Sequence, residues 1–201
     1  MQTNTLTLEE LAGKVGGDAG GALGVLLAYI GDQSGVYRAL EDKGPINCDA
    51  LAQETDLDPR YLREFLSANA AHGYVTYHQD TESFSLSEAQ AAIFAHEGTP
   101  TCMQGFFQAI VSQYATHEAA LETFKSGNGR PWGEHDSCCF CGTDRFFRPG
   151  YEANLIDTWI PALEGVDEKL SRGAKVADIG CGHGSSTIMM AKQYPSSTFH
   201  G

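Results

Sequence analysis

Apolar residues recur at helical spacing from Val25 to Leu40, through Leu26, Leu27, Ile30, Val36, Tyr37 and Leu40, with a break over Gly31–Gly35 and a stop at Gly44-Pro45. Upstream, Thr7 followed three residues later by Glu10 has the form of a capping box, which predicts a helix start. Glycines at 13, 16, 17, 20, 21 and 24 come next, and each weakens a helix by up to about 1 kcal/mol relative to alanine. The stretch therefore reads as a weak or broken helix, continuous only if it packs closely on a neighbour. Asp49–Glu54 predicts a short helix. Asp58 as N-cap and Pro59 in the first turn open a second, which Tyr61, Leu62, Phe65, Leu66 and Asn69 carry to Gly73. Tyr74–Tyr77 and Ser83–Leu86 read as short strands joined by the polar turn HQDTE.

Farther along, Ser87 with Gln90 forms another capping box and opens a helix through Phe94, and a longer amphipathic stretch runs from Cys102 to Phe124. Lys125–Pro149 reads as a long loop that carries Trp132, His135, three cysteines, Phe140, Phe146 and Phe147. Loops of that length serve as lids or binding segments, and aromatic side chains would be wasted on a solvated linker. Helix returns near Tyr151 with Leu155, Ile156, Trp159, Ile160 and Leu163, and Asp167–Arg172 adds a turn. Val176–Ile179 reads as a buried strand and Ser185–Tyr194 as a helix.

Helix, turn, helix and hairpin over residues 44–87 is the layout of a winged helix. Such a unit often reads DNA, but this one carries seven acids against two bases, Arg60 and Arg63, a net of −5. Phosphate contacts need Lys and Arg, so the unit is read as a packing or dimerisation module, and nucleic acid is not the expected partner. The whole chain, 201 residues with 13 Lys and Arg against 26 Asp and Glu, has a formal charge of −13 and is repelled by anionic surfaces. The apolar run Ala22–Ile30 is about half the length of a membrane span. Six cysteines, scattered except for 138, 139 and 141, do not form a disulfide framework, and a reducing cytoplasm is the expected compartment.

The most informative stretch is VADIGCGHGSS at 176–186. Glycines between a strand and a helix let the backbone approach a ligand, and the helix N-terminus offers free N–H groups beside it. A dinucleotide site wants G-x-G-x-x-G, and counting from Gly180 the third glycine falls on Ser185. What stands instead is D-x-G-x-G-x-G, from Asp178 to Gly184. This resembles motif I of class I S-adenosylmethionine-dependent methyltransferases, whose sulfonium cofactor has no pyrophosphate and is favoured by an acid at the strand end.

With the winged-helix-like part, the aromatic segment and GTDRFFRPGYEANLIDTWIPALEG upstream, nearly the whole chain is similar to bacterial small-molecule methyltransferases, related in layout to dimeric O-methyltransferases. The fold so implied is a mainly α N-terminal winged-helix domain followed by the start of an α/β Rossmann-like methyltransferase domain. The expected divisions are a dimerisation-type domain over 1–98, a connecting segment over 99–150 and the incomplete cofactor domain over 151–201. By the same resemblance Asp178, Gly180, Cys181 and Gly182 line the methionine and ribose side of S-adenosyl-L-methionine, while Gly184, Ser185 and Ser186 shape the turn into the helix. Arg148 and Tyr151 reach for the cofactor's carboxylate or simply pin their segment down.

Nucleoside-binding units place an acid for the ribose about 20 residues past the first glycines. No Asp or Glu comes after Gly184 here, and the sequence stops within the expected second strand. The expectation is a chain truncated after motif I, inactive alone and with negligible cofactor affinity. His135 is the candidate general base or acceptor-orienting residue, since imidazole side chains as a class can exchange protons near neutral pH, with Trp132 and Glu134 as walls for a small-molecule acceptor; the alternative is a structural loop histidine. His135, Cys138, Cys139 and Cys141 sit at short spacing but are cramped for a zinc tetrahedron, so packing is favoured and no metal is expected. A winged-helix transcriptional regulator with a ligand-sensing methyltransferase-like domain is the alternative function, and a non-catalytic dimerisation partner a third.

Overall fold

Helix α1 (Leu8–Gln33) runs unbroken for 26 residues in the computed structural model, which describes residues 5–201. Its capping box is complete: the Glu10 N–H donates to Thr7 Oγ1 at 3.3 Å and the Thr7 N–H donates to Glu10 Oε2 at 2.8 Å. The expected weakness at the glycines does not break the helix, and the close packing that was to excuse it is missing over the first half. A Cβ added at Gly13, Gly16, Gly17, Gly20 or Gly21 would meet nothing within 4 Å. The helix ends only at Gly35, whose φ of 74° lies in the left-handed region.

Packing begins at the other end of α1. Gly24, Ala28 and Gly31 are buried, and a Cβ on Gly31 would lie 2.8 Å from the Phe65 ring. Behind them α2 (Val36–Lys43), α3 (Cys48–Thr55) and α4 (Pro59–Ala71) enclose Tyr37, Leu40, Leu51 and Leu66. Asp58 caps α4 through the N–H groups of Arg60 and Tyr61. Inside this core the Tyr37 hydroxyl donates to Asn69 Oδ1 at 2.6 Å, and Asn69 Nδ2 donates to the Phe65 carbonyl at 2.8 Å. Both polar groups are thereby satisfied in an apolar setting.

The hairpin of β2 (Thr76–His78) and β3 (Ser83–Ser85) is joined by a strand that sequence reading missed, β1 (Ile46–Asn47), giving an antiparallel sheet in the order β1-β3-β2. Ile46 and Tyr77 both pair with Phe84. Two residues are too few to show a period of two. Ser87 and Gln90 cap α5 (Glu88–Phe94) reciprocally.

The chain divides into two compact units that part between Ala91 and Ala92, so residues 99–150 fall in the second unit together with residues 151–201. That unit contains α6 (Gln104–Ala115) and α7 (His117–Ser126), two helices where one stretch was expected. The loop expected over Lys125–Pro149 is for the most part helix. Asp136 accepts from the Cys138 N–H at 2.8 Å and caps α8 (Ser137–Asn154), which contains Pro149 and continues into one π-helical turn at Leu155–Trp159. Glycine and proline content argued for a loop, but Gly142 is the point where α8 presses on α6, and Pro149 forfeits only one backbone bond.

After α9 (Val166–Arg172), β4 (Lys175–Ala177), α10 (Ser185–Gln193) and β5 (Thr198–His200) form a β-α-β unit with parallel strands, Val176 opposite Phe199. Ile160, Leu170 and Tyr194 make its core, with Val176, Met190 and Phe199 against them. The strand expected to be buried is not: Lys175 and Ala177 are exposed, and Ile179 is 91% exposed. Among the described residues β5 is its only paired neighbour.

Candidate functional site

Past β4, the Asp178 N–H donates to the His200 carbonyl at 2.8 Å and the chain enters the glycine turn. Gly180, Gly182 and Gly184 have φ of 77°, 57° and 77°, all in the region where a Cβ is strained. At Gly180 and Gly182 a Cβ would meet nothing within 4 Å. Backbone conformation therefore requires these glycines, and the space beside Gly180 and Gly182 is open.

Two carboxylates hold the first turn of α10. Asp178 Oδ2 accepts from Ser186 Oγ at 2.9 Å and from Thr187 Oγ1 at 2.5 Å. Asp144, on α8, accepts from Ser185 Oγ through Oδ1, while its Oδ2 accepts from Arg148 Nε at 3.0 Å. Negative charge at a helix N-terminus is favoured by the aligned peptide dipoles.

The facing wall is one side of α8. Phe140, Asp144, Phe147 and Tyr151, spaced by four, three and four positions, stand on a single helix face, and the Phe147 and Tyr151 rings stack at 6.3 Å. Trp132 meets Phe140 edge-on at 5.4 Å. Between wall and turn lies a cavity of about 150 Å³.

Of the residues singled out in the sequence, Trp132, Tyr151, Asp178, Gly180, Cys181, Gly182, Ser185 and Ser186 line this cavity together. Gly184 lies within the turn but not in the lining. His135, Glu134 and Arg148 are also outside it. The His135 ring packs on Trp132 at 5.1 Å, and its Nδ1 is buried without a hydrogen-bond partner. Glu134 is exposed, and its carbonyl accepts from Arg130 Nη2 at 2.6 Å. Arg148 is paired with Asp144 and is not among the lining residues.

Sequence reading missed Asp144, Phe140, Thr143, Phe147 and His183, which also line it. The signal was present in Asp136 ahead of the 140, 144, 147, 151 spacing, and it was hidden by assigning that segment to a loop. Cys139 is buried and accepts from Gln113 Nε2 at 3.4 Å, Cys138 is half-buried and Cys141 exposed. Among the described residues no group of three or more His, Cys, Asp and Glu is arranged to hold a metal ion. A larger groove of about 610 Å³ in the first unit, beside α4 and the hairpin, is lined by Cys48, Arg63 and Tyr77 among others. Burial pushes the Cys48 thiol up in pKa, and it donates to the Pro59 carbonyl.

Residues 21–96 match a family model described as the Rv2258c-like winged HTH domain, and the first unit is a winged-helix unit. No curated protein matches the chain in sequence. Solved structures do share its fold. The mitomycin 7-O-methyltransferase MmcR is 17% identical with a TM-score of 0.67, over 94% of this chain and 57% of that one. An O-methyltransferase family protein from Burkholderia thailandensis is 13% identical with a TM-score of 0.65, over 97% and 56%. Human N-acetylserotonin methyltransferase, solved in complex with SAM, is 12% identical with a TM-score of 0.65, over 99% and 60%. The chain thus spans somewhat more than half the length of these structures, and at such identities the likeness establishes the fold. Among the described residues no helix is long and apolar enough to cross a membrane.

Proposed function

We propose that this chain serves a cytoplasmic S-adenosylmethionine-dependent methyltransferase of small molecules, with β4-α10-β5 as the start of its Rossmann-like cofactor domain. The observation that carries this reading is the acid-led glycine turn, Asp178 to Gly184, seated between a strand and a helix and facing an aromatic wall. The donor set suits a sulfonium. Two carboxylates and four aromatic rings border the cavity, and no Lys or Arg is among its lining residues. A cation is attracted both by carboxylates and by ring faces, whereas a diphosphate would be repelled there.

When bound, the cofactor supplies a methyl group made electrophilic by its positive sulfur. This chain's part is placement. Asp178, with Gly180, Cys181 and Gly182, would hold the cofactor along the turn, and Gly184, Ser185 and Ser186 fix the geometry of its exit. Tyr151 and Arg148 would serve the methionine carboxylate, Arg148 while held by Asp144. Trp132 and Glu134 would border the acceptor. His135 would take a proton from a hydroxyl acceptor, or orient it through the Trp132 ring. Methyl transfer is an in-line displacement, so positioning supplies most of what an enzyme can add.

In the protein expressed from its full coding sequence, calorimetry should show S-adenosylhomocysteine binding and no NAD binding. The reverse result would overturn the reading. Turnover unchanged in His135→Ala would remove the role given to that residue.

The same reading takes the protein as a homodimer through its N-terminal unit, and a DNA-reading regulator as second choice. Arg63 on α4 is 3.7 Å from Asp49, and acids outnumber bases around it, which favours packing over phosphate contact.

A further inference from the structure

Asp144 is a charged side chain only one-tenth exposed, and its two oxygens have different partners. Oδ1 accepts from Ser185 Oγ, the first residue of α10 and 41 positions downstream. Oδ2 accepts from the Arg148 guanidinium, one helical turn along α8. One carboxylate therefore joins the aromatic wall to the exit of the glycine turn and also fixes the direction of Arg148. Asp178 holds the neighbouring hydroxyls of Ser186 and Thr187, so the first turn of α10 is gripped by acids from two separate elements. Hydrogen bonds to a buried carboxylate are about twice as strong as neutral ones, and removing a partner leaves a charge unpaired.

We propose that Asp144 is a positioning residue of the cofactor site: it latches α8 to the glycine turn through Ser185 and presents Arg148 to the carboxylate end of the ligand. The second half rests on the methyltransferase reading; the latch stands on geometry alone.

Two substitutions separate these jobs. Asp144→Asn keeps an oxygen for Ser185 but turns an amide donor toward the guanidinium, releasing Arg148. Ser185→Ala removes the latch and leaves the Asp144–Arg148 pair. The probes are S-adenosylhomocysteine, which has the amino-acid carboxylate, and 5′-methylthioadenosine, which lacks it, with hydrogen exchange over residues 178–186 measured without ligand.

Asp144→Asn should weaken S-adenosylhomocysteine about tenfold, leave 5′-methylthioadenosine unchanged and leave the exchange slow. Ser185→Ala should speed exchange about fivefold or more and weaken both ligands alike. A merely structural Asp144 would affect both ligands equally in Asp144→Asn, and that result overturns the Arg148 half. Exchange unchanged in both Ser185→Ala and Asp144→Ala overturns the latch. If neither probe binds the wild-type protein expressed from its full coding sequence, the methyltransferase reading fails and takes the Arg148 half with it, while the exchange data still decide the latch.

Discussion

Gly105 of α6 and Gly142 of α8 meet backbone to backbone. A Cβ on Gly105 would lie 2.7 Å from the Gly142 carbonyl oxygen and 2.5 Å from the Phe146 nitrogen, and one on Gly142 would lie 2.6 Å from the Ala109 nitrogen. These obstacles are backbone atoms of the facing helix and cannot rotate away. Gly142→Ala should therefore destabilise the second unit by about 1–3 kcal/mol through overpacking, read by urea denaturation. Gly150→Ala is the internal control: it lies on the same helix with nothing within 4 Å, and alanine there should gain up to about 1 kcal/mol. Equal effects at 142 and 150 would mean that the crossing is not tight.

Asp178 offers a test of charge as distinct from shape. Its Oδ2 is held by Ser186 and Thr187, and Asp178→Asn keeps an oxygen for them while removing the charge. The variant should keep its stability within about 1 kcal/mol, because the hydroxyl bonds survive. It should also narrow the preference for the sulfonium cofactor over its thioether product by roughly fivefold, which competitive binding of the two would measure. An unchanged preference would remove Asp178 from the charge recognition assigned to it.

The elements that could be read ahead were those with local chemistry to announce them. The capping residues Thr7, Asp58 and Ser87 marked their helices correctly because a cap acts over three residues. The glycine turn was legible for the same reason. Helix α8 was not, since Gly142 answers a distant helix through Gly105 and Ala109, and Pro149 stands inside the helix rather than ending it. Misreading α8 concealed Phe140, Asp144 and Phe147, three of the four residues of the α8 wall. Long-range partners, not local propensity, decided that segment.

The first half of α1 makes a prediction about assembly. Leu8, Leu11 and Val15 are exposed along one side, at 86%, 47% and 57%, and five glycines with open space beside them cover another. Those glycines cost about 5 kcal/mol of helix propensity against alanine, more than a short isolated helix can bear in water. A second copy of the chain is the proposed cover, consistent with the proposed homodimer. Sedimentation should show a dimer that Leu11→Glu with Val15→Glu converts to monomer, with the melting of the α2–α4 core retained. A wild-type monomer at about 100 μM would rule the arrangement out, since a functional dimer of this kind needs micromolar affinity or better.

Tyr194 sets the alkaline limit of the second unit. It is 3% exposed, its hydroxyl donates to Asp167 Oδ1 at 2.6 Å, and burial first, then that carboxylate, push its pKa up to about 12. Tyr37, buried beside Asn69 in the first unit, is also raised, chiefly by burial. In each case the folded state keeps a phenolic proton that the unfolded chain releases near pH 10. Stability is then insensitive to these groups below about pH 10 and falls as pH rises toward 12, by about 1.4 kcal/mol per pH unit for each tyrosine. Tyr194→Phe cannot ionise, so the second unit should lose this slope while the first keeps its own through Tyr37. Denaturation midpoints at about pH 9, 10 and 11, where the slope sets in, with the fluorescence of Trp132 and Trp159 reporting on the second unit, would check this. A slope that persists there in Tyr194→Phe would assign the titration to another group.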